Sequence, residues 1–160
     1  MASVLKQIMA VAAWLACAGA AEAQSVGNRV DAGGIQFEAL DAQELKPGQC
    51  ALFLWSRSER PVFILFAPDN PAKATARVGG RVVQFDRKTT SGARVLGHFE
   101  KQAFASGRYA FEIELAYDQE RPVQDGALID HGVLRSRDKK GNVTVVPVGG
   151  MIGCKKAKSR

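Results

Sequence analysis

One segment near the middle of the chain most constrains the fold. From Arg108 to Tyr117, apolar side chains alternate with charged or small ones. The apolar members are Tyr109, Phe111, Ile113, Leu115 and Tyr117. Because successive side chains of a β-strand point to opposite faces, this period of two predicts a strand with one buried and one largely polar face. Such a strand needs partner strands, which the rest of the chain must supply.

Three further pairs of short strands are recognisable, each with a turn between its members. They join residues 50–55 to 62–66, 74–78 to 81–85, and 132–137 to 142–148. The first pair is apolar on both faces, which is typical of strands that are covered on both sides. In the second pair the turn is Gly79-Gly80, which suits the positive φ angles of a two-residue hairpin turn. Since the chain shows no convincing amphipathic helix, we expect an all-β fold, either a small antiparallel β-barrel or a β-sandwich.

The remaining regions carry weaker signals. Residues 34–40 predict a first strand, since Ile35 and Phe37 alternate with polar neighbours. Ser91-Gly92 predicts a loop, followed by a less regular extended stretch. Residues 118–130 are acidic and contain Pro122 and Gly126, which predicts a long loop.

The first 23 residues have the features of a secretory signal peptide: a positive Lys6, an apolar run and a small-residue cleavage site before Gln24. The rest is long enough for one domain. We expect a disordered lead-in at 24–33, a β-rich domain at 34–154 and a basic tail at 155–160. The chain is therefore expected to be a periplasmic or secreted bacterial protein. The alternative is an outer-membrane lipoprotein anchored through Cys17, although Trp14 stands where a lipobox has leucine.

Export determines how the cysteines are interpreted. Of the three, Cys17 would leave with the signal, so Cys50 and Cys154 remain as a pair. In an oxidising compartment an even number of cysteines predicts a disulfide. The two are far apart in sequence, unlike the close cysteines of redox-active Cys-x-x-Cys sites. We therefore expect a structural Cys50–Cys154 bridge that closes the two ends of the domain.

The positive charge is concentrated at the C-terminus. Residues 131–160 hold eight Lys and Arg side chains against the single carboxylate of Asp138. Among these cations, Lys139, Lys140, Lys155 and Lys156 are candidate binding residues for an anionic envelope polymer or an acidic envelope protein. Outside the cytoplasm a nucleic acid is not expected as the partner. The chain between the signal and the tail contains no apolar stretch that predicts a transmembrane span.

Residues with catalytic or metal-binding chemistry are few. Asp130 precedes His131, but neighbours in a strand point to opposite faces, so we expect the acid not to orient the imidazole. Glu112 and Glu114 share one strand face, and we interpret them as solvated charges. No zinc motif is present, and the acidic loop lacks the ligand spacing of a known calcium loop. The sequence predicts no catalytic residue, no metal and no cofactor.

Two aromatic side chains are further candidates for binding. Tyr117 ends its strand, where its ring is expected to be accessible, and Tyr109 begins the same strand. Ser106-Gly107-Arg108-Tyr109 resembles the Ser-Gly-x-x-Tyr loop with which bacterial periplasmic inhibitors block the cleft of lysozyme, but is one residue shorter. The resemblance implies a small β-barrel and a role for Arg108 against an acidic cleft.

The expected function is therefore a non-catalytic binding or structural module of the cell envelope. The first alternative is an inhibitor of a hydrolase such as lysozyme. The second is an enzyme of unfamiliar type that uses Glu112, Glu114 and His131.

Overall fold

The computed structural model describes residues 28–157, and the regular elements in this range are all strands. They are β1 Arg29–Ala32, β2 Ile35–Glu38, β3 Cys50–Ser56, β4 Phe63–Pro68, β5 Lys73–Val78, β6 Arg81–Val95, β7 His98–Ser106, β8 Tyr109–Tyr117, β9 Gly126–Arg137 and β10 Val143–Cys154. The predicted all-β class is thus confirmed. The expected signal peptide with Cys17 and the end of the basic tail, 158–160, lie outside the described residues.

Eight of the strands form a closed antiparallel barrel. The order around it is β5-β4-β3-β10-β9-β8-β7-β6, and pairing of β6 with β5 closes the ring. Because every neighbour is antiparallel, the turns alternate between the two ends. One end carries the β3–β4, β5–β6, β7–β8 and β9–β10 turns, and we call it the groove end. The opposite end carries the β8–β9 loop and the Cys50–Cys154 bridge, and we call it the disulfide end.

The bridge is present as predicted. Cys50 and Cys154 are directly opposite each other in the β3–β10 ladder, with their sulfur atoms at bonding distance. The bridge therefore links the first strand of the barrel to the last one. Disulfides of this kind persist in oxidising compartments, so the bridge indicates a location outside the cytoplasm.

The hairpin of β1 and β2 lies across the groove end. Its residues Ala32, Ile35 and Phe37 are buried in the main core, and β2 pairs with β5. The Ser136 hydroxyl inside the barrel donates a hydrogen bond to the Ala32 carbonyl. The prediction of a disordered lead-in over 24–33 is therefore wrong for residues 29–32. β1 pairs with β2 and is held on the barrel by a contact with Ser136, which is distant in sequence.

The barrel interior is filled by the apolar face that the period of two predicts. On β8, Phe111, Ile113 and Leu115 are buried, whereas Glu112 points to solvent. The ring of Phe111 lies 5.5, 5.0 and 5.4 Å, centroid to centroid, from Phe37, Phe85 and Phe104. These contacts join the β1–β2 hairpin to three adjacent strands of the barrel wall, β6, β7 and β8.

The expected hairpin turn at Gly79-Gly80 is confirmed, with φ angles of 55° and 78°. The loop expected at Ser91-Gly92 is not formed. β6 continues through these residues, and a register shift between Ser91 and Arg94 accommodates them. The turn to β7 lies instead at Leu96-Gly97, with φ angles of 47° and 86°. A leucine rarely adopts a positive φ, so its side chain gave no turn signal.

A second, smaller apolar layer covers the outside of β3 and β4. Ala51 and Phe66 are buried there beneath Leu40 and Leu45 of the segment that connects β2 to β3. Phe53 and Phe63 are half-buried at its edge. This layer explains why both faces of the first predicted hairpin are apolar. No helix among residues 28–157 is long and apolar enough to span a membrane.

Candidate functional site: a basic groove at one end of the barrel

Four of the predicted binding residues come together at the groove end. Arg108 and Tyr109 lie at the β7–β8 turn, and Lys139 and Lys140 lie at the β9–β10 turn. With the β1–β2 turn they line a groove of about 490 Å³, which we call the basic groove. Its lining is Gly33, Gly34, Ile35, Arg108, Tyr109, Ala110, Arg137, Asp138, Lys139, Lys140 and Asn142.

The β7–β8 turn fixes the position of the Arg108 guanidinium. Ser106 pairs with Tyr109, so Gly107 and Arg108 form a two-residue turn in which Gly107 has a φ of 54°. A glycine is favoured at that place because the turn needs a positive φ there. The Arg108 guanidinium carbon lies 4.9 Å from the centre of the Tyr109 ring, and its Nη2 donates to the Tyr109 hydroxyl at 2.8 Å. The cation is thus held over an aromatic face.

The β9–β10 turn is organised by the carboxylate of Asp138. Its Oδ1 accepts from the backbone N–H groups of Lys140 and Asn142 at 2.8 and 2.9 Å, and its Oδ2 accepts from the Asn142 side chain at 2.9 Å. The hydrogen bond from the Asn142 side chain, together with those from the backbone, lowers the pKa of Asp138. These bonds leave Lys139 and Lys140 exposed on the outside of the turn.

The groove is strongly positive as a result. It contains four cations, those of Arg108, Arg137, Lys139 and Lys140, and only the Asp138 carboxylate, which already accepts hydrogen bonds within the turn. Sequence reasoning did not select Arg137, whose Nη1 donates to the Gly141 carbonyl at 2.9 Å. Nor did it place the β1–β2 turn beside these residues. Counting strands would have predicted the meeting of the other two turns, since alternate turns of a meander share an end.

The other predicted binding residues lie at the disulfide end and do not contribute to this groove. Lys155 and Lys156 are exposed just after β10, and Lys156 Nζ lies 3.5 Å from Asp125 Oδ2. The ring of Tyr117 is half-buried against the core, and its hydroxyl donates to the Phe99 carbonyl at 3.3 Å. Burial raises the pKa of Tyr117. The predicted set is therefore divided between the two ends.

Glu112 and Glu114 project from the outer face of β8. Glu114 Oε2 accepts from Arg135 at 2.7 Å, and its Oε1 lies 3.2 Å from Lys101 Nζ. The hydrogen bond from Arg135, followed by that from Lys101, lowers the pKa of Glu114. A carboxylate held in its charged form by two cations is poorly suited to act as a general acid. The geometry thus agrees with the interpretation of these residues as surface charges.

The expectation that Asp130 and His131 point to opposite faces is wrong. The β8–β9 and β9–β10 ladders both shift register at this point, which makes an irregularity in β9. Such a bulge breaks the alternation of side chains. Both side chains are consequently exposed, and His131 Nε2 lies 3.8 Å from Asp130 Oδ2. On its other side, His131 Nδ1 accepts a 3.0 Å hydrogen bond from Arg57 Nη1.

The acidic loop between β8 and β9 is shorter than predicted, because β9 begins at Gly126. Two of its carboxylates pair with cations of the protein: Asp118 with Arg121, and Asp125 with Lys156. Asp130, now within β9, also pairs with Arg121. Within residues 28–157, no group of three or more His, Cys, Asp and Glu side chains is placed to hold a metal ion.

Comparison of the chain with models of protein families, with curated proteins and with solved structures gives no significant match. The function is therefore inferred from the residues of this chain.

Proposed function

We propose that this protein is a non-catalytic binding module of the cell envelope, which uses the basic groove to hold an acidic surface of an envelope partner. The observation that supports the proposal is the convergence of Arg108, Arg137, Lys139 and Lys140 from two turns around one groove. Exposed cations on rigid turns attract an anionic partner over a distance that shortens as salt is added. The Tyr109 ring adds an amphipathic contact surface of the kind enriched in interfaces.

The disulfide and the signal-like N-terminus support a periplasmic or secreted location. Export would exclude cytoplasmic nucleic acids and leave acidic proteins and phosphate-bearing polymers of the envelope as partners. Of the residues considered for catalysis, Glu114 pairs with Arg135 and Lys101, and His131 contacts Arg57 and Asp130. Their engagement with neighbouring charges favours a binding role.

The test is capture of envelope proteins and polymers by the purified protein. The full chain is expected to retain a partner at moderate salt, and the double variant Lys139→Ala/Lys140→Ala is expected to lose it. The matched control is Lys155→Ala/Lys156→Ala, which removes the same charge at the opposite end. If both double variants lose the partner equally, total charge and not the groove determines binding, and the proposal is wrong.

A second candidate function is inhibition of a glycoside hydrolase such as lysozyme. The observation that favours it is the placement of the Ser106–Tyr109 turn, whose Arg108 guanidinium is held at the rim of the groove. Glycosidases carry two carboxyl groups in their clefts, which an arginine on a protruding turn can approach.

An assay of lysozyme activity with increasing protein tests this candidate. We expect inhibition by the full chain, its loss in Arg108→Ala, and its retention in Arg81→Ala, which alters an exposed arginine beside the neighbouring β5–β6 turn. Absence of inhibition by the unaltered chain, with partner capture intact, would reject the inhibitor and leave the binding module.

A further inference from the structure

A second groove lies on the wall of the barrel, where β3 is paired with β10. It has a volume of about 580 Å³ and does not share a residue with the basic groove. We call it the wall groove, and its lining is Trp55, Ser56, Arg57, Ser58, Glu59, Pro61, Gly149 and Gly150.

Glycines form the floor of the wall groove. Gly149 is directly opposite Trp55 in the β3–β10 ladder, so no side chain lies directly across from the indole on that strand. A Cβ on Gly150 would lie 2.0 Å from the Phe53 carbonyl oxygen, so the backbone requires glycine there. A Cβ on Gly149 would meet only the Ile129 carbonyl oxygen at 3.4 Å and the Arg57 side chain at 3.5 Å. Packing therefore restricts residue 149 less than residue 150. The absence of a side chain at Gly149 nevertheless opens the groove.

The Trp55 ring forms one side of the groove and is held by its neighbours. It stacks on Phe63, with ring centres 4.9 Å apart and planes inclined by 29°. Phe53, two residues earlier on β3, is nearly parallel to it with a centre distance of 6.4 Å. The indole is half-buried, so these contacts fix its orientation while part of its surface stays accessible. A fixed aromatic surface loses little conformational entropy when a ligand binds.

The Arg57 guanidinium is also fixed in place. The arginine side chain runs past Gly149 to reach the irregularity in β9, where its Nη1 donates to the Asp130 carbonyl and to His131 Nδ1. Among residues 28–157, its Nε and Nη2 atoms have no hydrogen-bond partner, so their protons are available to a ligand. Glu59, in the same loop, supplies carboxylate acceptors. The charges of Arg57 and Glu59 cancel, which distinguishes this groove from the basic one.

We propose that the wall groove binds an uncharged sugar ring within an oligosaccharide or polysaccharide. A pyranose has a face of C–H groups that packs on an aromatic ring, and its edge carries hydroxyls that both accept and donate hydrogen bonds. Trp55 provides the aromatic surface, Arg57 the donors and Glu59 the acceptors. Sites for small ligands have this composition, with an aromatic wall and a few placed polar groups. The proposal is independent of the basic groove and of its partner.

Tryptophan fluorescence provides a direct assay. The chain contains two tryptophans, Trp14 and Trp55, so a Trp14→Phe variant of the full chain reports on the wall groove alone. The probes are hexasaccharides of glucose and of N-acetylglucosamine at millimolar concentration. We expect at least one of them to change the Trp55 emission in a saturable manner. If neither does, the proposal is wrong.

Matched arginine variants then locate the binding. Arg57→Ala is expected to weaken the binding of the active probe by about ten-fold or more, because hydrogen bonds from a charged donor are lost. Arg60→Ala is the control, since Arg60 is exposed in the same loop but does not line the groove. Calorimetry with Trp55→Ala should show no binding, whereas Trp55→Phe, which keeps an aromatic packed on Phe63, should retain part of it. Equal weakening by Arg57→Ala and Arg60→Ala would overturn the assignment.

Discussion

His98 is a fully buried histidine whose environment should make the stability of the barrel depend on pH. Its side chain has no exposed surface, and neither ring nitrogen has a hydrogen-bond partner among residues 28–157. The neighbouring Gln102 amide is already engaged, donating to the Phe99 carbonyl and accepting from Arg87. Burial, followed by the positive charge of Arg87, lowers the pKa of His98 from 6.5 to about 4, although the negative charge of Asp69 opposes this.

The sign and size of the effect follow from proton binding. Below pH 6.5 the unfolded chain takes up a proton at His98 that the folded chain does not bind until about pH 4. Stability should therefore fall as the pH falls through this window. Since one pKa unit corresponds to about 1.4 kcal/mol, we expect His98 to lower the free energy of unfolding by about 2 kcal/mol between pH 7 and pH 5.

Urea denaturation followed by circular dichroism at pH 7 and pH 5 measures this difference. The perturbation is His98→Leu, which has a side chain of similar size and no titrating group. At pH 7 its stability should equal or exceed that of the parent, because a buried imidazole without partners is replaced by an apolar side chain. Keeping the pH at 5 or above limits the contribution of Glu114 and Asp138, whose pKa values lie below their ordinary values.

The chain offers a matched control, because His131 is its other histidine. The side chain of His131 is 76% exposed. His98→Leu is expected to lose about 2 kcal/mol of the pH dependence of the parent. His131→Gln, which removes a histidine at the surface, is measured beside it for comparison. If the parent and His98→Leu lose equal stability between pH 7 and pH 5, the reasoning from burial is refuted.

Three other substitutions test the fold. Replacing both Cys50 and Cys154 with serine should lower the free energy of unfolding by about 2–5 kcal/mol in urea titrations; free thiols in the parent purified under oxidising conditions would contradict the bridge. Phe111→Ala should cost about 3–5 kcal/mol in the same assay, because the ring has aromatic contacts on several sides; a loss below about 1 kcal/mol would contradict its place in the core. Leu96 is 41% exposed and has a φ of 47°, so Leu96→Asn should raise the free energy of unfolding by about 1 kcal/mol and increase the melting temperature. An unchanged or lower melting temperature would mean that the turn is not strained.

The fold could be predicted where neighbouring residues alone determine how a segment packs or turns. The alternation on β8 identifies the buried face correctly, because a half-buried strand allows only one orientation. The glycine pair at residues 79 and 80 identifies a turn because its φ angles are encoded locally. Leu96 has no such signal, and β1 has no apolar pattern of its own. Its order depends on Ser136 and on the barrel end that the hairpin covers, which lie about a hundred residues away in sequence.

The candidate sites were predicted only in part, for a related reason. Arg108 and Lys140 were selected by residue type, but their proximity depends on strand order. The alternation rule correctly identified the face of Glu114 and failed at Asp130. A bulge adds a residue without changing the sequence pattern, so no local feature warns of it. That same irregularity gives Arg57 its acceptors, and so the wall groove was not visible in the sequence.

The packing of the barrel also explains why both grooves lie on its outside. An eight-stranded barrel is just wide enough either to be filled by side chains or to hold one small ligand. Here Phe37, Phe85, Phe104 and Phe111 occupy the interior, and the β1–β2 hairpin covers one end. Recognition is then left to the turns and to places where strands are irregular or lack side chains. The basic groove is formed by turns, and the wall groove by the β3–β4 loop together with Gly149 and Gly150. The two share no residue, so substitutions in one groove should leave the binding proposed for the other unchanged.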